Sequence, residues 1–432
     1  MGADDRIPVH RAAELFRSAV GAALLTGVDT AVVFHDLSRL RQRIEDLRSV
    51  FPERTLHAVA IKANPLVGVL RCVVEAGAGL EAASVEEVHL ALAAGCAPSQ
   101  IVFDSPAKTE AELDFALERG VYINADNLDE LGRIDSLRAR RSTTSGIGLR
   151  VNPQVGGGTI PVTSVGTRSS RFGVPLDVLG ESEVVAAFAR YPWLEGLHVH
   201  VGSQGCELSL LVAAVQRVWD LRATIHVALG RHVVTALDIG GGVPATYDEM
   251  EPKYSILEYA SALRRGIPAL FASDVRLVTE LGRSLQAGCG FAVTRVEHVK
   301  RVGDECIAVV HLGADFLLRP VYQPQHWHHD IWVLDAAGVP KQGPSSPWTV
   351  AGPLCFAGDI LERGCSLPVV EVGDYVLIRD VGAYTLSLWS RHCNRSRPLV
   401  LGVAGRERGA AAEFVVLLRR ETAGDIVRQW SP

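Results

Sequence analysis

Between Leu56 and Glu280 the chain alternates short apolar runs with stretches of helical periodicity, and no other feature constrains the fold as tightly. Strand-length runs are read at 55–62, 79–84, 101–105, 121–125, 146–151, 194–201, 235–239 and 275–280. Helical patterns lie between them, near 66–77, 85–94, 109–119, 128–139, 176–190, 207–229 and 255–272. Eight strands in strict alternation predict a (β/α)8 TIM barrel over 36–285 rather than an open doubly wound sheet. The absence of a GxGxxG after the first strand agrees with that choice.

The flanks read differently. Ala12–Leu25 predicts an amphipathic helix, Thr30–His35 a strand, and Asp36 caps a helix running to about Val50. After residue 286 the segments AVTRVEHVKRV, CIAVVHLG, HDIWVLD, TVAGPLC, YVLIRDVG and FVVLLRRE are β-rich and separated by turn residues. They predict an all-β C-terminal domain, sandwich or barrel-like, so the fold class is α/β plus all-β. A length of 432 residues, too great for one compact core, fits this two-domain division into 36–285 and 1–35 with 286–432. The pairing of strand 30–35 stays open at this stage.

Composition narrows the function. A net charge of −6 with no long basic run excludes a nucleic-acid footprint. Met1–Arg17 lacks an uninterrupted apolar core, and no apolar stretch is long enough for a membrane span, so neither secretion nor a membrane is expected. The eight cysteines are scattered without a CxxC pair, which fits a reducing cytoplasm and no structural zinc site.

In a parallel barrel, chemistry sits at the C-terminal ends of the strands. The first strand runs into AVAIKANP and leaves Lys62 there, an amine that is costly to bury unless neutralised or bonded. A strand-end lysine is ordinarily a snorkelling surface residue. Other strand ends supply Glu81 and Ser84, Arg150 and Asn152, and His198, His200 and Ser203 in HVHVGSQG. They also supply Asp238 with Gly240, Gly241 and Gly242, and then Glu280, Gly282 and Arg283. The glycine triplet is either a tight turn or a cradle whose N–H groups approach a phosphate. One of His198 and His200 is expected to line the barrel and the other to pack outward. A lysine, an anion cradle and a carboxylate are together what pyridoxal phosphate requires: a Schiff-base amine, a phosphate site and a partner for the pyridine nitrogen.

With these residues in place, the chain resembles the fold-type III pyridoxal-phosphate decarboxylases, the ornithine/diaminopimelate/arginine group, and looks closest to diaminopimelate decarboxylases. The resemblance covers about 30–405 and rests on AIKANP, LEAASVEEV, RVNPQV…SRFGVP, HVHVGSQ, DIGGGVP, ELGR, DFLLRPVY, GPLCFAGD and DVGAYTLSLWSRHCNRSRP, in that order. It implies that Lys62 is the Schiff-base lysine, that His200 stacks on the cofactor ring and that Glu280 pairs with the pyridine nitrogen. Glu81 would lie near the cofactor, with Ser203, Gly240, Gly241, Gly242, Gly282, Arg283 and Tyr384 around the phosphate. Arg283, Arg319, Tyr322, Phe356 and Asp359 would face substrate, and Cys355 would donate a proton to Cα. Because Cys355 and its neighbours reach the other subunit's site in this family, a homodimer is implied.

This sequence departs from the family pattern at four places. Leu281 replaces a usual proline, Glu81 a usual aspartate, and Arg319 and Tyr322 stand one residue closer together. Phe356 follows Cys355 where diaminopimelate decarboxylases carry a glutamate for the distal ammonium. An aromatic ring offers only a cation–π contact there, a loss of roughly 2–5 kcal/mol in discrimination. RPVYQPQHWHHDI also resembles siderophore-pathway decarboxylases of the same fold type, which act on larger carboxylate-rich conjugates. Its His326, His328 and His329 could line such a pocket or hold a metal. The expectation is decarboxylation of diaminopimelate or a close analogue. Rival readings are a specialised-pathway decarboxylase, a fold-type III racemase, which Glu280 disfavours, and a non-catalytic partner-binding homologue.

Overall fold

The computed structural model describes residues 6–248, 250, 253–405 and 412–432. Residues 1–5 and 406–411, counted above with the β domain, lie outside the described residues. The chain divides into two compact units: Arg41–Ala245 with Lys253–Leu285, and Met1–Leu40 with Thr246–Pro252 and Gln286–Pro432.

In chain order the strands of the larger unit follow β1 (Ala31–Asp36), which belongs to the other unit. They are β2 (Leu56–Ala60), β3 (Gly79–Ala82), β4 (Ile101–Phe103), β5 (Tyr122–Ala125), β6 (Ile147–Asn152), a two-residue β7 (Val174–Pro175), β8 (Leu194–His198), β9 (Ala236–Asp238) and β10 (Arg276–Thr279). All pairings are parallel, and a β5–β6 pairing closes the order β5-β4-β3-β2-β10-β9-β8-β6 into a barrel, with β7 hanging off β6. The eight predicted strands and their helices are present with ends that agree to within three residues, most of them shorter than predicted and β6 running one residue further, to Asn152. The segment predicted as one helix over 255–272 is two, Ile256–Gly266 and Pro268–Ala272, because Pro268 cannot continue the hydrogen-bond ladder of the first. Ser84, Thr109, Asn127, Asp177 and Ser255 each accept a backbone N–H at a helix start, so Ser84 is a cap rather than a rim group.

Ala58, Val102, Tyr122, Ala236 and Val278 form a buried cluster contributed by five barrel strands. Tyr122 takes the room that Gly148 and Gly196 leave open. A Cβ on Gly196 would stand 2.0 Å from its hydroxyl, so those two positions tolerate no side chain.

The other unit is built on β1, β11 (Gly290–Val302), β12 (Glu305–Val310), β13 (Ile331–Leu334), β14 (Ser345–Ala351), β15 (Ile360–Pro368), β16 (Tyr375–Arg379), β17 (Leu399–Ala404) and β18 (Glu413–Leu418). The order is β15-β14-β12-β11-β1-β17-β18, with β16 pairing β11 and β13. β1 settles the open pairing: it lies between β11, antiparallel, and β17, parallel. β11 pairs β16 over Phe291–Arg295 and β12 over Val296–Val302, with a shift of register between Val296 and His298. Such a bulge bends one strand so that it serves two parts of a sheet. The helix Val9–Gly21 lays Ala12, Leu15, Phe16 and Ala19 on this sheet against Val32, Phe34, Phe291 and Leu401. Arg319 and Tyr322 sit on a short helix, Leu318–Tyr322, within this otherwise β-rich unit.

Candidate active site

Lys62 stands one step past the strand predicted to carry it. β2 ends at Ala60, and Ile61–Ala63 form a 3-10 turn held by the Ala60 N–H donating to the Leu281 carbonyl at 3.1 Å. Ile61 and Ala63 are buried, while the Lys62 side chain is 41% exposed and reaches Glu81 Oε2 at 2.5 Å. Glu81, inside β3, is wholly buried. Burial pushes its carboxyl up to about 8 against the pull of Lys62, with Glu280 and Asp104 adding to the rise. The Glu81 carboxylate thus lies directly against the Lys62 amine, placed to take a proton from it, and an amine must lose a proton before it can act as a nucleophile.

His198 and His200 do not face opposite sides as expected. His198 ends β8 and His200 lies two residues past it, and both rings stand among the rim groups. His198 is wholly buried, with Asp104 at 3.8 Å from Nδ1 and Glu280 at 3.5 Å from Nε2. His200 Nδ1 accepts the Gly241 N–H at 3.1 Å, which places its remaining proton on Nε2. Burial, reinforced by Arg150, lowers His200 to about 3, so the ring is neutral at any working pH.

The glycine turn is built for close approach. Gly240 has φ +64°, and a Cβ on Gly241 would meet the Glu280 carbonyl oxygen at 2.4 Å. Two of the three N–H groups are already engaged: Gly240 donates to Asp238 Oδ1 at 2.9 Å and Gly241 to His200. The cradle predicted from three consecutive glycines is thus narrower than expected, and the N–H left to face an anion is that of Gly242. The other donors nearby are Ser203 and Arg283, whose Oγ and Nε are 3.2 Å apart. The Glu280 N–H donates to the Gly240 carbonyl at 2.8 Å, tying the glycine turn to the end of β10.

Asp104 escaped the sequence reading. It directly follows β4 as Glu280 follows β10, and that position was the available signal. Its carboxylate lies 3.5 Å from Arg150 Nη1. Asn152 binds the Thr167 carbonyl and the Gln154 N–H, holding its own loop.

The remaining expected residues form a cluster in the β-rich unit. The Arg319 guanidinium lies 4.6 Å over the Tyr384 ring and 4.7 Å over Trp327. Tyr384 has φ +58° and Asp380 φ +59°, conformations that a non-glycine residue holds only when its surroundings impose them. Tyr322 stacks on Phe356 with centroids 5.6 Å apart and planes 15° from parallel, and His392 meets Phe356 edge-on. Cys355 beside them is exposed. Asp359, expected to face substrate, is buried, and its two oxygens accept the Ala314 and Leu354 N–H groups at 2.6 and 2.7 Å, which ties two loops together. The three histidines disperse. His328 lies between Asp330 and Glu362, His329 bonds the Arg379 carbonyl, and His326 is exposed, so among the described residues the three do not converge on a metal site.

Buried polar atoms at the rim await a partner: Oε1 of Glu81 and Oε1 of Glu280 make no hydrogen bond among the described residues. With the Gly241 approach and the Gly242 N–H, they fit a ring carrying a basic nitrogen and a phosphate. The family model for the pyridoxal-dependent decarboxylases, describing their pyridoxal binding domain, matches residues 37–287. The chain belongs to this family. Its barrel is therefore a pyridoxal-phosphate-binding fold-type III barrel. Diaminopimelate decarboxylase of Neisseria meningitidis serogroup A is 31% identical over 423 residues, 97% of this chain and 96% of that protein. That of Archaeoglobus fulgidus is 30% identical over 406 residues, covering 93% and 92%. Among solved structures, Helicobacter pylori diaminopimelate decarboxylase complexed with L-lysine superposes with a TM-score of 0.83 at 27% identity, covering 95% of this chain and 99% of that one. Among the described residues of this decarboxylase-family chain, no helix is long and apolar enough to cross a membrane.

Proposed function

We propose that this protein removes the Cα carboxylate of diaminopimelate or a close analogue. The observation that carries the reading is the end-to-end likeness to relatives named for that substrate, on a chain that keeps the lysine, carboxylate and glycine turn together on one rim. Bound pyridoxal phosphate supplies the electron sink for the pair left at Cα as CO2 departs. Lys62 Nζ holds the cofactor covalently, and Glu81 Oε2 is positioned to take the proton that the amine must lose first. The neutral His200 offers a flat uncharged face. Glu280, held ionised, keeps a proton on the pyridine nitrogen, which argues for decarboxylation over racemisation. Ser203, the Gly242 N–H and Arg283 supply donors for the phosphate, to which Gly282 and Tyr384 are also assigned by the family resemblance.

Arg319 and Tyr322 are assigned to the distal carboxylate and Cys355 to proton delivery at Cα, in a homodimer where the Cys355 loop serves the partner subunit's site. The protein is assigned to the cytoplasm. A second reading is favoured by one observation, the Tyr322–Phe356 stack: it offers a distal group an aromatic wall and no carboxylate, which suits an analogue of a specialised pathway. A CO2-release screen over meso-diaminopimelate, both enantiomers of lysine, ornithine, arginine and citryl-type conjugates separates the two. Release from meso-diaminopimelate is expected; racemisation of a free amino acid without CO2 would overturn the decarboxylase reading.

A further inference from the structure

His198 has no role in the chemistry described so far, yet it is a wholly buried ionisable side chain at the rim. Its two nitrogens face two carboxylates from opposite sides: Nδ1 toward Asp104, just after β4, and Nε2 toward Glu280, just after β10. Asp104 is backed in turn by Arg150 of β6, 3.5 Å away, whose other acidic neighbour is Asp126 at 3.9 Å. Four buried groups from four strand ends thus alternate in sign, Arg150, Asp104, His198 and Glu280. Asp238, ending β9, also faces the ring, while Lys62, His200 and Glu81 stand around Glu280.

A neutral imidazole has one N–H and one lone pair. Between two carboxylates at 3.8 and 3.5 Å it would turn that lone pair toward a negative oxygen, whereas the doubly protonated ring places a positive charge between the two as an ion pair with each. Burial alone pushes the His198 ring down, but Asp104, Glu280 and Asp238 outweigh it and hold it up at about 9. Reciprocally, burial would raise Glu280, and His198, followed by Lys62, holds it well below the usual carboxylate range. Asp104, His198 and Glu280 each bring one ligand atom within 4.8 Å of the others, so the three groups form one compact buried cluster.

We propose that His198 is a positioning residue, an imidazolium pinned between Asp104 and Glu280 that keeps the Glu280 carboxylate ionised and aimed. The inference rests on the assignment of Glu280 to the pyridine nitrogen. Because the ring is charged below about 9, its support is present at neutral pH and lost as pH rises through that value.

The test uses nitrogen-15 histidine labelling of the full chain, with His198→Gln to assign the resonance, and steady-state kinetics of the cofactor-loaded protein. An imidazolium signal for His198 that persists from pH 6 to 8 is expected, and a neutral imidazole in that range overturns the proposal whether or not the variant folds. In His198→Gln, kcat should fall by about tenfold for each pKa unit that Glu280 rises through neutrality. KM should hold within about threefold, and the acidic limb of kcat should move to higher pH, as for loss of a transition-state contact. An unchanged pH profile in a folded variant also overturns it. Glu280→Gln separates the two layers: full turnover there removes the underlying assignment, whereas lost turnover there with normal turnover in His198→Gln removes the inference alone.

Discussion

At the scale of single residues, the chemistry rests on how little separates Lys62 from Glu81. Burial perturbs the Glu81 carboxyl, and the two side chains meet at 2.5 Å. Replacing Lys62 by Ala removes the amine without touching the buried Ile61 and Ala63 that hold the turn. Lys62→Ala is therefore expected to abolish turnover with an unchanged melting profile, and borohydride reduction followed by peptide mapping should find cofactor on Lys62 in the parent only. Substantial residual turnover would show that another residue carries the covalent step. Phe356 is the other decisive position. A carboxylate placed on that ring's site would gain a charged hydrogen bond to a distal ammonium, about 1.5–3 kcal/mol or roughly ten- to a hundredfold in kcat/KM. Phe356→Glu is expected to shift preference toward diaminopimelate by that order, measured by CO2 release in competition with the parent's preferred substrate. No gain would mean that the Tyr322–Phe356 stack does not face the distal group.

The elements show why certain side chains cannot be read from local pattern. Arg6, ahead of the helix Val9–Gly21, is buried and bonds Asp330 at 2.6 Å and also Asp380, whose φ of +59° leads into the loop carrying Tyr384. Nothing near Arg6 in sequence announces a partner some 370 residues away. Removing Arg6 takes the hydrogen-bonded cation from Asp380 and leaves Arg379 as the remaining neighbouring charge, so Arg6→Ala should cost about 3 kcal/mol in urea unfolding of the full chain. A loss below about 1 kcal/mol would show that water replaces the guanidinium. Local pattern did reveal the barrel strands, because each is a short apolar run bounded by polar or glycine residues. It overreached only at the ends, as where Lys62 enters a 3-10 turn, since strand termini depend on which neighbour stops pairing.

For the whole molecule, the proposed sharing of sites between subunits makes a distinct claim. If the Cys355 loop serves the partner subunit, Lys62→Ala and Cys355→Ala are defects in different halves of each site. Mixing the two inactive variants should restore about a quarter of parental activity, because half of randomly assorted dimers are mixed and each holds one intact site. Absence of recovery after verified subunit exchange would place Cys355 outside the partner's site. The barrel, the β-rich character of the C-terminal third and the family were legible in the residues, because strand rhythm and ordered motifs are properties of sequence. Which side chains share a proton was not. Asp104 carries no motif, the glycine N–H groups looked alike until two were found engaged, and nothing local marked the two backbone amides that donate to the Asp359 oxygens. Sequence determined which groups arrive at strand ends. Only closure of the barrel decided that His198 stands between Asp104 and Glu280, since electrostatics in a buried site follows distances across strands far apart along the chain.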